Sequence, residues 1–147
     1  MVLTISKQID ISLPIGKVFD FISYYPNDIK WRDGVLDMKQ LPQGKTEMGS
    51  ETFETIKFMG RKLVVKAKVV EFDMNKRLSF KSVSAPIETW GFREVRDLGN
   101  GKTEMKYELS ANLTGLYKLF SSSIEKMFSK RIENDLLKLK SILQNDY

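Results

Sequence analysis

The chain has 147 residues, carries 24 Lys and Arg against 19 Asp and Glu for a net charge of +5, and contains neither cysteine nor histidine. That composition excludes a disulfide framework, thiolate or imidazole catalysis and the usual cysteine or histidine metal sites, so any general acid or base must be Asp, Glu, Lys or Tyr. The length suits one domain spanning residues 1–147, and no apolar run approaches the roughly 20 residues of a membrane span.

The N-terminus goes directly into strand alternation with no leader pattern, which together with the missing cysteines fits a cytosolic protein. Leu3, Ile5, Ile9, Ile11 and Leu13 share one face of this strand, and only Lys7 interrupts the row. Pro14 suits the first turn of a helix. Ile15, Val18, Phe19 and Ile22 give that helix its buried stripe, and it ends near Tyr24-Tyr25-Pro26-Asn27. A short second helix or turn over residues 28–33 carries Trp31, and Gly34 releases the chain.

Six more strands follow at Val35–Leu41, Glu51–Phe58, Lys62–Phe72, Leu78–Val83, Glu88–Val95 and Thr103–Leu113, separated by short Gly, Pro, Asn and Asp turns. Such brief connections imply antiparallel hairpins. Residues 57–81 hold eight cations against Glu71 and Asp73, a local charge of +6. Lys62, Lys66 and Lys68 alternate there with Leu63, Val65, Ala67 and Val69, as on the solvated face of a strand. Alternatively the row attracts an anionic membrane or an acidic protein. No nucleic-acid motif accompanies it.

Two strands break the simple pattern. On Glu88–Val95 the row with Trp90 and Phe92 also holds Glu88 and Glu94. On Glu51–Phe58 either parity brings in charge, Glu54 on one side and Glu51 with Lys57 on the other. An unpaired buried charge is costly. Either these strand ends reach solvent, or polar groups face an interior cavity.

The tail, Thr114 to Tyr147, reads as one uninterrupted amphipathic helix about 45 Å long, with Leu116, Phe120, Ile124, Phe128, Ile132 and Leu136 at every fourth position. A sheet that receives so long a helix must curve around it. The expected architecture is α+β, with two short helices after strand 1, a curved antiparallel seven-stranded sheet and the long C-terminal helix across its concave face.

This order resembles the START-like helix-grip superfamily, in its polyketide cyclase/dehydrase and lipid transport branch. The resemblance covers essentially the whole chain. It rests on Ile11-Ser12-Leu13-Pro14-Ile15-Gly16-Lys17-Val18-Phe19-Asp20-Phe21-Ile22, on Trp31-Arg32-Asp33-Gly34-Val35, and on Gly49, Gly60-Arg61, Gly101-Lys102-Thr103, Gly115 and Leu136-Leu137-Lys138-Leu139-Lys140. It implies a cavity between sheet and C-terminal helix that holds a lipid, polyketide, quinone or similar apolar ligand, with no cofactor or metal. In some members that cavity performs cyclisation or dehydration. None of the matching motifs is catalytic. A third implied reading is a protein-interaction module that uses the basic strand.

Candidate ligand contacts follow from this geometry. The resemblance implies that Trp31 stands near the mouth, where it would close over a ligand or else pack the helix pair onto the sheet. Phe53, Leu63, Val65, Trp90, Phe92 and Leu109 are candidates on the strands. Met105, Tyr107, Phe120, Met127 and Phe128 should meet across the helix–sheet gap, with Tyr107 able to orient a polar head. Among Glu88, Arg93 and Glu94, one group turned inward would fix a carbonyl or act as acid or base. Residues 116–120 offer a gate or a lipid contact, and Ser121-Ser122-Ser123 behind them is a weak helix former that permits a bend.

Overall fold

The computed structural model describes residues Met1–Asp146. Tyr147, which the expected helix included, lies outside them. β1 (Val2–Ile11) leads into α1 (Ile15–Ser23), a 3-10 turn at Tyr25–Asn27 and the four-residue α2 (Asp28–Trp31). Then come β2 (Val35–Leu41), β3 (Glu51–Phe58), β4 (Arg61–Asp73), β5 (Arg77–Ser84), β6 (Glu88–Gly99) and β7 (Lys102–Asn112). The chain finishes with α3 (Leu116–Leu119) and α4 (Ser121–Asp146).

All seven strands form one antiparallel sheet in the order β1-β7-β6-β5-β4-β3-β2. β1 pairs with the last strand rather than the second, because α1 and α2 carry the chain across to the far edge. Bulges interrupt β2, β4 and β6, and each extra residue bends its strand. The result is the helix-grip arrangement, with α4 lying against the concave face of a curved sheet.

Pro14 stands just before α1, with extended backbone, and its carbonyl accepts from the N–H groups of Lys17 and Val18. The expected continuous tail is broken. Gly115 takes a positive φ of 57° that a side chain disfavours, α3 lasts one turn, and Phe120 leaves helical geometry before Ser121 starts α4. The serine triplet gives the physical reason, since serine competes poorly for helix interiors and suits helix starts. The break turns Leu116, Leu119 and Phe120 away from the core stripe, and they are 72%, 77% and 51% exposed.

The core has two parts. The larger joins Ile11, Val69, Leu78 and Met105 of the sheet to Val18, Phe19 and Ile22 of α1 and to Leu136, Leu139 and Leu143 of α4. The smaller gathers Phe58, Ala111, Leu113 and Ile124 near the start of α4.

Candidate functional site

A cavity of about 100 Å³ lies where the two core clusters meet, between the sheet and α4. The inward rows of the strands explain the space. They carry Ala67, Thr52, Thr89 and Ala111 where larger residues would fill it. Leu3, Phe58, Leu63, Val65, Leu109, Leu113 and Phe128 make one end apolar, and Phe58 and Phe128 stack there with ring centroids 5.5 Å apart. Ile87 and Pro86, in the loop before β6, border the same end.

The other end is polar. Tyr25, Arg32, Glu54, Arg93 and Tyr107 all line it. Arg93 is 1% exposed and Asp28 0%. Arg93 donates through Nη1 to Asp28 Oδ1 at 2.9 Å and to the Ile22 carbonyl at 2.8 Å, while its Nη2 donates to Asp28 Oδ2. Arg32 then bridges Asp28, at 3.0 Å, to Glu54, at 3.2 and 3.3 Å. Two guanidinium groups and two carboxylates thus form one closed, neutral network. Burial works against the Arg93 charge, but Asp28 foremost, together with Tyr107 and Tyr25, outweighs that and holds the group protonated above its ordinary range. Arg32 is raised as well, its desolvation outweighed chiefly by Glu54.

Aromatic rings enclose the pair. The Arg93 guanidinium sits 4.6 Å from the centroid of Tyr25, 5.1 Å from Trp31 and 5.3 Å from Tyr107. The Tyr25 hydroxyl, the Trp31 indole N–H and the Arg93 Nε–H are buried and have no protein partner. Burial raises the Tyr25 phenol, with Arg93 opposing. Tyr25 therefore keeps its proton, and its hydroxyl is free to donate a hydrogen bond.

Of the expected contacts, Leu63, Val65, Tyr107, Leu109 and Phe128 line this cavity. Trp31 does not stand at the mouth. It is buried behind Tyr107, edge-on at 5.9 Å, where it packs α2 onto the sheet. Met105 is wholly buried in the larger core, and Met127 packs beside the smaller one. Phe120 stands outside because of the helix break.

Phe53, Trp90 and Phe92 are on the outer face. Phe53 lies under the Lys66 ammonium at 5.5 Å, and Phe92 lies 3.7 Å from the Arg77 guanidinium. The parity of β6 decides this: buried Arg93 and Val95 share the inward row, so Trp90 and Phe92 point outward with Glu88 and Glu94. On β3 the inward charge is Glu54, and Glu51 and Lys57 face out. Within the basic row, Lys66 is engaged by Glu51 at 2.9 Å, while Lys62 and Lys68 are exposed.

Tyr25 and Arg32 escaped the sequence reading, because they sit on irregular segments where no periodicity assigns a face. For Arg93 a signal existed: it shares its row with Gly91 and Val95. Among the described residues no cluster of acidic side chains could hold a metal ion, and no helix is long and apolar enough to cross a membrane.

Residues 2–144 match the family model described as polyketide cyclase / dehydrase and lipid transport. The chain belongs to this family. Solved structures agree on the fold. A START superfamily protein from Mycobacterium smegmatis superposes with a TM-score of 0.79 at 12% identity, covering 98% of this chain and 99% of its own. A protein from Thermus thermophilus gives 0.82 at 16% identity, with coverages of 96% and 97%. The Zhui aromatase/cyclase from Streptomyces sp. R1128 gives 0.73 at 8% identity, with coverages of 99% and 93%. Comparison with the curated proteins finds no match. At such identities the structural likeness speaks for the fold of this family member, and function rests on its own cavity.

Proposed function

We propose that this protein binds a small, predominantly apolar molecule in the cavity between the sheet and α4. One observation carries the reading: an apolar chamber of about 100 Å³ ends in a buried set of oriented polar groups. Ligand sites combine apolar walls with a few fixed polar groups in this way. The volume is close to the roughly 150 Å³ of an engineered apolar cavity that takes up benzene, and below the roughly 300 Å³ at which drug-sized sites begin. A single-ring or short-chain guest therefore fits as the chamber stands, and a lipid or polyketide requires the chamber to widen, as by outward movement of the Pro86 loop that borders it.

Affinity comes from apolar burial at about 25 cal/mol per Å². The test is titration with a neutral apolar fluorophore and with ethylbenzene, together with native mass spectrometry of freshly purified protein. Val65→Phe fills the chamber and should lose at least tenfold in affinity. Val64→Phe, on the exposed face of the same strand, should bind as the parent does. Equal binding by both variants would place the ligand elsewhere.

A further inference from the structure

Resting on that reading, we infer that the ligand carries an uncharged oxygen acceptor, a ketone, aldehyde, ester or quinone-type carbonyl, that is anchored at the polar end by Tyr25. Two features of the site point there together. The first is charge. Arg93 and Arg32 are matched by Asp28 and Glu54 through bonds of 2.9–3.3 Å, so neither cation is free for an anionic head. A carboxylate or phosphate entering this end would have to break an internal pair or bury an excess negative charge beside Glu54. An ammonium would bury excess positive charge beside two guanidinium groups.

The second is the excess of donors. Tyr25 is 3% exposed, lines the cavity, and its hydroxyl has no protein partner. The adjoining Arg93 Nε–H is likewise unpaired. Buried donors without acceptors are uncommon in a finished core, and a ligand oxygen satisfies them. The Tyr25 phenol keeps its proton and can donate, and the Arg93 Nε–H beside it can only donate, so the ligand group that satisfies both is an acceptor.

The experiment uses one ring and varies only its head. Acetophenone, benzoate, benzylamine and ethylbenzene are titrated into the full chain at pH 7.5, with amide NMR shifts as readout, and then into Tyr25→Phe. This variant removes only a hydroxyl that bonds to nothing in the protein, so folding is retained, as an unchanged amide spectrum would verify. Acetophenone should bind at least tenfold tighter than benzoate and benzylamine. Tyr25→Phe should weaken acetophenone three- to tenfold and leave ethylbenzene within twofold. Benzoate binding as tightly as acetophenone, or acetophenone indifferent to Tyr25→Phe, overturns the inference while the cavity reading stands. If not even ethylbenzene binds, the cavity reading fails, and this inference falls with it.

Discussion

Arg93 on β6 and Asp28 at the start of α2 form a two-pronged ion pair that is sealed from solvent, although 65 residues separate them in the chain. The bond ties the helical excursion after β1 to the centre of the sheet and fixes the polar end of the cavity. Its two partners are not equivalent. Asp28 also accepts from Arg32, whereas Arg93 has no second carboxylate among its hydrogen-bond partners. Asp28→Asn leaves Arg93 buried beside a neutral amide and should cost about 3–5 kcal/mol. Arg93→Met leaves Asp28 still held by Arg32 and fills its space with apolar atoms, so it should cost about 2 kcal/mol or less. Urea denaturation of both variants checks the order. Equal losses would mean that Arg32 does not share the charge.

Asp135 on α4 makes stability depend on pH. It is buried, it accepts from the Asp33 N–H at 2.9 Å, and it thereby fastens α4 to the loop after α2. Burial pushes its carboxyl up to about 6, opposed by the Asp33 N–H and by Arg32 and Arg131, and reinforced by the Asp33 charge. A carboxyl whose folded value lies above its unfolded one favours the native state where it is protonated. That contribution is present below about pH 4 and is lost as pH rises through about 6. Asp135→Asn keeps the acceptor and discards the charge. It should stabilise the protein by about 2 kcal/mol at pH 8 and have little effect at pH 4. Thermal melts across pH 4–8 supply the test, and a gain independent of pH would refute the charge argument.

Gly91 and Gly16 should respond oppositely to alanine. A Cβ at Gly91 would stand 2.2 Å from the Glu108 carbonyl oxygen on β7 and 3.1 Å from Phe80. The first obstacle is backbone, so β6 and β7 must separate, and Gly91→Ala should cost about 3 kcal/mol or more. At Gly16 in α1 nothing lies within 4 Å of a Cβ. Gly16→Ala should stabilise by about 0.5–1 kcal/mol through helix propensity and a less mobile unfolded chain. Chemical denaturation reads both signs.

These particulars show why the fold was more legible than the site. Strands β2 and β3 fall on the residues that alternation assigns, because turn residues punctuate their ends, Gly34 and Pro42 around β2 and Gly49 and Gly60 around β3. The ambiguity of β6 was real. Phe92 and Arg93 are adjacent and on opposite faces, and ordinary burial preference puts the aromatic inside. What reverses it is Asp28, a carboxylate supplied by a distant helix, and local pattern contains no information about such a partner. The tail posed a different problem. Its four-residue apolar spacing runs through Phe120 without interruption, so the period alone hides a break made by Gly115 and three serines.

Phe128 links stability to the cavity and should reveal both. Its ring stacks on Phe58 with the planes 18° apart, it sits on α4, and it closes the apolar end of the chamber. Phe128→Ala removes that stack and enlarges the space, since the sheet is held by its own ladder and collapses only partly. Because Phe128 is half-buried, the loss should be about 2–3 kcal/mol, below the range for fully buried phenylalanines. The enlarged chamber should then accept guests of two fused rings, such as naphthalene, that the parent excludes. Saturating naphthalene should raise the variant's melting temperature and leave the parent's unchanged, because a ligand stabilises only the state that binds it. Calorimetric melts of both proteins with and without the hydrocarbon decide the matter. A variant that is destabilised but shows no rescue would mean that the space closes on itself.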